Sequence, residues 1–194
     1  MEALEALHTR ASAPALEEPG PGERQLAAIL RAAGRAPDHG LMRPWRFIVV
    51  RGEARSRLGA VMAEATRRRT PDASEETLER ERAKPLRAPL LVVVAAKPRE
   101  RRGVPEIEQL LAAGAAAENI LLAAHALGFG AMWRTGEAAY DDAVKAALGL
   151  DPADAITGFL YIGTPTSAAP ARPRPESQIL EWTAPGELAP CPLD

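Results

Sequence analysis

The stretch from Pro105 to Leu127 constrains this chain more than any other. It reads PEIEQLLAAGAAAENILLAAHAL, and only Glu106, Glu108, Gln109, Glu118, Asn119 and His125 interrupt its apolar run. A proline suits the first turn of a helix, and Gly128 supplies a stop. A helix that is apolar on nearly every side has to be covered on nearly every side. In a chain of 194 residues such an element is either the centre of the domain or a contact between subunits. Gly114 and the surrounding alanines permit close approach of whatever covers it.

The rest of the chain supplies partners for it. Trp45–Val50 (WRFIVV) is a short apolar strand. Pro89–Ala96 (PLLVVVAA) is continuously apolar and rich in valine, the pattern of a strand buried on both faces. Phe129–Arg134 and Ile156–Gly163 make two further strands. Helices are expected at residues 2–9, at Glu23–Ala33, from Glu53 onward with Leu58, Val61 and Met62 inward, and at Glu137–Leu148. Residues 67–88 are highly charged and read as an exposed helix or a mobile lid, with Ser74 placed to cap the stretch Ser74–Lys84 within them. From Pro165 onward there are seven prolines in 30 residues, which predicts an extended tail. The order predicts an α+β fold in a single domain, residues 1–194. No glycine fingerprint follows the first strand, so a Rossmann nucleotide site is not supported.

Composition narrows the function. Many small alanines leave each helix little to bury, which favours an oligomer. A net charge of −2 argues against a nucleic-acid partner. Cys191 is the sole cysteine, so neither an internal disulfide nor a cysteine metal site can form. No histidine pair suggests a metal. The N-terminus lacks the apolar core of a signal peptide, and no run reaches the roughly 18 apolar residues of a membrane span. A cytoplasmic protein is expected.

Candidate binding residues cluster in three places. The turn within Arg31–Phe47 (RAAGRAPDHGLMRPWRF) collects Arg35, Asp38, His39 and Arg43, more polar chemistry than a connection needs. Arg10 and Ser12 precede Pro14, and an arginine fork suits phosphate. Trp133, Arg134 and Thr135 close a strand, where ligand crevices form in open sheets. No Ser-His-Asp order or carboxylate pair can be assembled. Chemistry in such a chain would belong to a bound cofactor.

Several segments together resemble the nitroreductase family of FMN flavoproteins, in its short single-domain branch of NAD(P)H nitroreductases. They are MEALEALHTRAS, LAAILRAAGRAPDHGLMRPWRFIVV (Leu26–Val50), RAPLLVVVAA (Arg87–Ala96), GFGAMWRTG (Gly128–Gly136) and GFLYIGTP (Gly158–Pro165). The resemblance spans nearly the whole chain in order. It implies a central four-stranded, mainly antiparallel sheet flanked by helices. It also implies a homodimer with FMN at the subunit interface and a C-terminal tail wrapping the partner.

The family pattern carries FMN contacts onto Arg10, Ala11 and Ser12, onto Trp133, Arg134 and Thr135, and, across the interface, onto Arg35 and His39. Arg172 or Arg174 in the tail would add a phosphate contact, and Ala123–Gly128 corresponds to a nicotinamide segment. The implied activity is hydride transfer from NAD(P)H through FMN to a nitroaromatic, quinone or similar acceptor. Dehalogenation, flavin breakdown or a non-catalytic flavin-binding dimer are the alternatives. One departure stands out. The family usually places two arginines before the serine and often another shortly after, whereas this chain has Ala11 and Ala15. Each missing charge-assisted bond is worth about 1.5–3 kcal/mol.

Overall fold

The computed structural model describes residues 1–167 and 179–191. The core is an antiparallel sheet. Strand β2 (Trp45–Arg51) pairs with β3 (Leu90–Ala96), β3 with β5 (Ala155–Pro165), and β5 with β4 (Gly130–Arg134). These are the four expected strands. A fifth, β1 (Leu16–Glu17), adds two residues beside the end of β5. It lies in the connector ALEEPGPG, which reads as turn alone because a two-residue strand shows no period.

Helices cover both faces, which explains why β3 has no polar side. Leu90, Val92 and Val94 face α2 (Glu23–Ala33) and α5 (Glu106–Ala126), meeting Ile29, Ala116, Ala117 and Ile120. Leu91, Val93 and Ala95 face α3 (Glu53–Arg69) and α6 (Asp142–Ala147), meeting Met62 and Val144. Val92, Val93 and Val94 are fully buried. A short helix α1 (Ala3–Thr9) lies against α5.

Three expectations need revision. The segment Glu137–Leu148 is not one helix. A 3-10 turn at Glu137–Ala139 ends at Tyr140, and Asp141 then caps α6 by accepting the N–H groups of Ala143 and Val144. The charged segment is a docked helix and not a lid. Helix α4 (Glu75–Ala83) is capped by Ser74, whose hydroxyl accepts the Thr77 N–H at 3.2 Å. It buries Leu78 and crosses α3 so closely that a Cβ on Gly59 would sit 2.2 Å from the Arg82 carbonyl oxygen. The tail is not simply extended either. Leu180–Ala184 (β6) and Glu187–Pro190 (β7) pair with each other as a hairpin, turning at Gly186 with φ 82°. A glycine there removes the cost of left-handed backbone.

Helix α5 is only partly covered by the other described residues of its own chain. By length and composition alone it would pass for a membrane span, as the core helix of a globular domain also can. Its apolarity has a packing reason on one side, where Ala113, Ala116, Ala117, Ile120 and Ala124 are fully buried. On the other side Ile107 is 58% and Leu111 64% exposed, and a Cβ added at Gly114 would meet nothing within 4 Å. Leu4 and Leu7 of the adjacent α1 are also exposed.

Candidate functional site

Five of the six polar interruptions of α5 have a common use. Glu108 bonds the ring of His39. Gln109, 2% exposed, accepts the Arg99 N–H at 3.0 Å and donates to the Arg99 carbonyl at 2.9 Å. Glu118 pairs with Arg10 at 3.3 Å, Asn119 donates to the Ala32 carbonyl, and His125 Nε2 lies 2.8 Å from the Thr9 hydroxyl. Only Glu106 holds nothing among the described residues. The helix thus fixes the N-terminal segment near its C-terminal end and the polar turn near its start.

The polar turn is tightly held. Gly40, Leu41 and Arg43 all have positive φ, at 69°, 52° and 46°. For leucine and arginine this backbone costs about 1–2 kcal/mol each. Asp38 accepts the Arg43 N–H at 2.5 Å, Arg101 donates to the Gly40 carbonyl at 2.5 Å, and Arg99 donates to the Met42 carbonyl. The basic cluster Arg99–Arg102 therefore supplies bracing to this turn through two of its arginines. The other cluster, Arg67–Arg69, pairs with Glu64, Glu75, Glu137 and Asp141. Held this way, the turn leaves His39 and Arg35 exposed, and Arg35 makes no side-chain bond among the described residues.

The N-terminal segment runs along the free edge of β4. Ser12 bridges Ala131 in parallel, and Ala13 N–H donates to the Ala131 carbonyl at 3.0 Å. Arg10, Ala11 and Ser12 are thereby set beside the strand that ends in Trp133, Arg134 and Thr135. Trp133 is half-buried against the α5 face and donates from Nε1 to the Thr157 carbonyl at 2.9 Å. Its indole fills the space over Gly158, where any Cβ would lie 2.1 Å from Nε1. Arg134 and Thr135 are exposed.

Two clefts flank this segment and share Ala13 as a wall. One, of about 340 Å³, is lined by Thr9, Arg10, Ala11, His125, Gly128 and Ala131. The other, of about 300 Å³, is lined by Pro14, Leu16, Arg87, Met132, Arg134 and Tyr161. The larger groove between α3 and α6, lined mainly by alanines, holds none of the candidate residues.

The sequence candidates thus form two sets. Arg10, Ala11, Ser12, Trp133, Arg134 and Thr135 share one sheet edge. Arg35 and His39 lie elsewhere, the second tied to Glu108. Positions 108 and 118, which hold His39 and Arg10, lie about 15 Å apart on a helix rising about 1.5 Å per residue. Arg172 and Arg174 fall outside the described residues.

The family profile described as Nitroreductase family matches residues 14–164. The chain belongs to this family. A relative from Escherichia coli (strain K12), named Putative NAD(P)H nitroreductase YdjA, is 44% identical over 165 residues, covering 85% of this chain and 89% of that one. Another, from Haemophilus influenzae, is named Putative NAD(P)H nitroreductase and is 37% identical over 84% of this chain and 89% of its own length. A nitroreductase-like protein of solved structure from Bacillus cereus has the same fold at TM-score 0.78 and 23% identity, with 91% of this chain and 92% of that chain covered. A putative nitroreductase from Desulfovibrio desulfuricans, solved in complex with FMN, aligns at TM-score 0.70 and 26% identity over 90% of this chain and 92% of that one. The nitroreductase fold expected from the sequence is the fold observed.

Arg87 and Tyr161 were not among the sequence candidates, nor were the tethers on α5. The signal for the tethers was present: polar residues recur in an otherwise apolar helix. No comparable signal marks Arg87, which reads as an ordinary charge before a strand, or Tyr161, which reads as core.

Proposed function

We propose that this nitroreductase-family chain is an FMN-dependent NAD(P)H oxidoreductase that acts as a homodimer, each FMN held between two subunits. The observation that carries the reading is the division of the candidate residues. Arg10, Ser12 and Arg134 share one sheet edge, while His39 is tied to Glu108 near the start of α5, about 15 Å along the helix from the Glu118 that holds Arg10, and Arg35 is exposed on the same turn as His39; a site that uses all of them is best supplied by two chains. The exposed apolar residues Leu4, Leu7, Ile107 and Leu111 offer the surface through which a second copy would bring its turn.

The residues present fit a phosphate-bearing ring system. The two clefts beside Ser12 carry the cations Arg10, Arg87 and Arg134, and among the described residues their lining includes no carboxylate. Arg10 and Ser12, with Arg172 or Arg174, would hold the phosphate. Ala11 and Thr135 would contribute main-chain contacts, and Trp133, fixed by Thr157, would wall the ring. Arg134 would keep a positive charge beside it, while Arg35 and His39 would close the site from the partner. When bound, FMN accepts a hydride from NAD(P)H and passes electrons to a nitroaromatic, quinone or similar acceptor; the protein supplies position and electrostatics. Each subunit is a single domain, residues 1–194, and the dimer would work in the cytoplasm.

The test begins with the colour of the purified protein. A yellow protein whose flavin band bleaches on adding NADPH under argon supports the reading. A colourless protein that also fails to bind added FMN would overturn it.

A further inference from the structure

The cleft lined by Arg87, Met132, Arg134 and Tyr161 contains more chemistry than the cofactor contacts ask for. Tyr161 is 4% exposed, yet its hydroxyl has no hydrogen-bond partner among the described residues. No side-chain polar atom there is both sealed from solvent and without a partner, so this oxygen opens onto the cleft. Arg87 and Arg134 line the same space, and neither makes an ion pair or side-chain hydrogen bond among the described residues. Both are exposed, with their side chains at the mouth of the cleft, whereas other arginines of the fold are occupied: Arg10 with Glu118, Arg55 with the Ala88 carbonyl, Arg69 with Asp141 and Arg82 with Glu75. The remaining wall is Ala13, Pro14, Ala15, Leu16 and Met132, which offers no negative charge.

We propose that Arg87, Arg134 and Tyr161 form an oxyanion subsite, which takes a carboxylate or phosphate group of a small molecule bound beside the flavin. Two guanidinium forks and a phenol make a donor-rich set with no carboxylate in its described lining, and planar forks match the paired oxygens of such groups. Burial raises the pKa of the Tyr161 phenol, Arg87 and Arg134 oppose that, and Glu81 adds to it, with a net shift upward. The hydroxyl therefore keeps its proton and donates. Glu81 is already engaged by Lys84, which leaves the two arginines to the ligand. Pro14 and Met132 give the apolar wall against which the rest of an aromatic acid would lie.

The inference rests on the oxidoreductase reading only for the identity of the molecule. The donor set stands on its own geometry, and its first test needs no turnover. The FMN-loaded protein is titrated with benzoate and with inorganic phosphate by calorimetry. Saturable binding is expected, with an about ten- to hundredfold loss for Arg87→Met, the range of one charge-assisted bond, and a smaller loss for Tyr161→Phe. Arg87→Lys should restore part of it, and Arg57→Met, on the exposed surface of α3, should restore or remove nothing.

The second test compares 4-nitrobenzoate with nitrobenzene as acceptors. Arg87→Met should raise the KM for the acid about tenfold more than the KM for the neutral compound. If Arg87→Met instead weakens FMN itself tenfold, and benzoate binds only apoprotein in competition with FMN, the oxyanion is the cofactor's own phosphate. Benzoate and phosphate affinities unchanged in both Arg87→Met and Tyr161→Phe would overturn the subsite. A wild-type protein that binds benzoate but reduces neither acceptor would retain the subsite and overturn the acceptor class.

Discussion

Gly158→Ala tests the link between sheet and site most directly. A Cβ at this position would lie 2.1 Å from Trp133 Nε1, 2.6 Å from Cδ1 and 2.9 Å from Cε2. These are atoms of a rigid indole wedged over β5, not the end of a flexible chain. The ring has to withdraw by more than 1 Å to reach ordinary contact, about 3.4 Å or longer, and its 2.9 Å bond to the Thr157 carbonyl is lost. Overpacking of this kind costs about 1–3 kcal/mol and the bond about 1 kcal/mol. Reduced freedom of the unfolded chain returns about 0.5–1 kcal/mol. A net loss of about 1–3.5 kcal/mol corresponds to a melting shift of roughly 2–14 °C in a chain of this size. Thermal melts at fixed protomer concentration, with saturating FMN, measure it. If the clash is the cause, combining Gly158→Ala with Trp133→Phe recovers at least half the loss relative to Trp133→Phe alone. A variant melting within about 1 °C of wild type, or a loss unchanged by removing the indole, would refute the argument.

Other outcomes follow from the same geometry. Gly59→Ala should destabilise the protein by about 1–3 kcal/mol in urea, despite alanine's better helix propensity, because backbone of α4 blocks the new Cβ. Ser74→Ala should cost about 1 kcal/mol by the same measurement, through loss of the Thr77 cap. Arg10→Ala and Arg35→Ala should each weaken FMN binding about tenfold or more. Dimers formed by mixing these two variants should regain one tight site in two, since one interface then holds both arginines; no recovery would mean that each site lies within one chain. Arg134→Met should lower the midpoint potential of bound FMN, read by redox titration, by removing a positive charge beside the ring.

The long elements could be read because their residues repeat at the period of the structure they form. The valines of β3 are apolar without alternation and are covered on both faces. Leu26, Ile29 and Ala33 of α2 fall at helical spacing and are buried. What could not be read depends on meetings between distant residues. Glu76 and Arg80 suggest a free surface helix, and only Gly59, one turn of sequence on another element, admits α4 against α3. The hairpin at Leu180–Pro190 is hidden among prolines. The candidate site was half legible. Single residues such as Arg10, Arg35 and Arg134 could be picked out by type and by family resemblance. That Arg87 and Tyr161 line one cleft depends on β5 running antiparallel to β3, which no local pattern announces.

The spacing of polar residues along α5 acts as a fixed gauge. Each added residue in a helix turns everything beyond it by about 100°. One residue inserted between Ala112 and Ala115 would leave Glu108 with His39 but swing Glu118, Asn119 and His125 away from Arg10, Ala32 and Thr9. The loops of this protein can change length at little cost, whereas the length of this one helix is locked between its two sets of attachments.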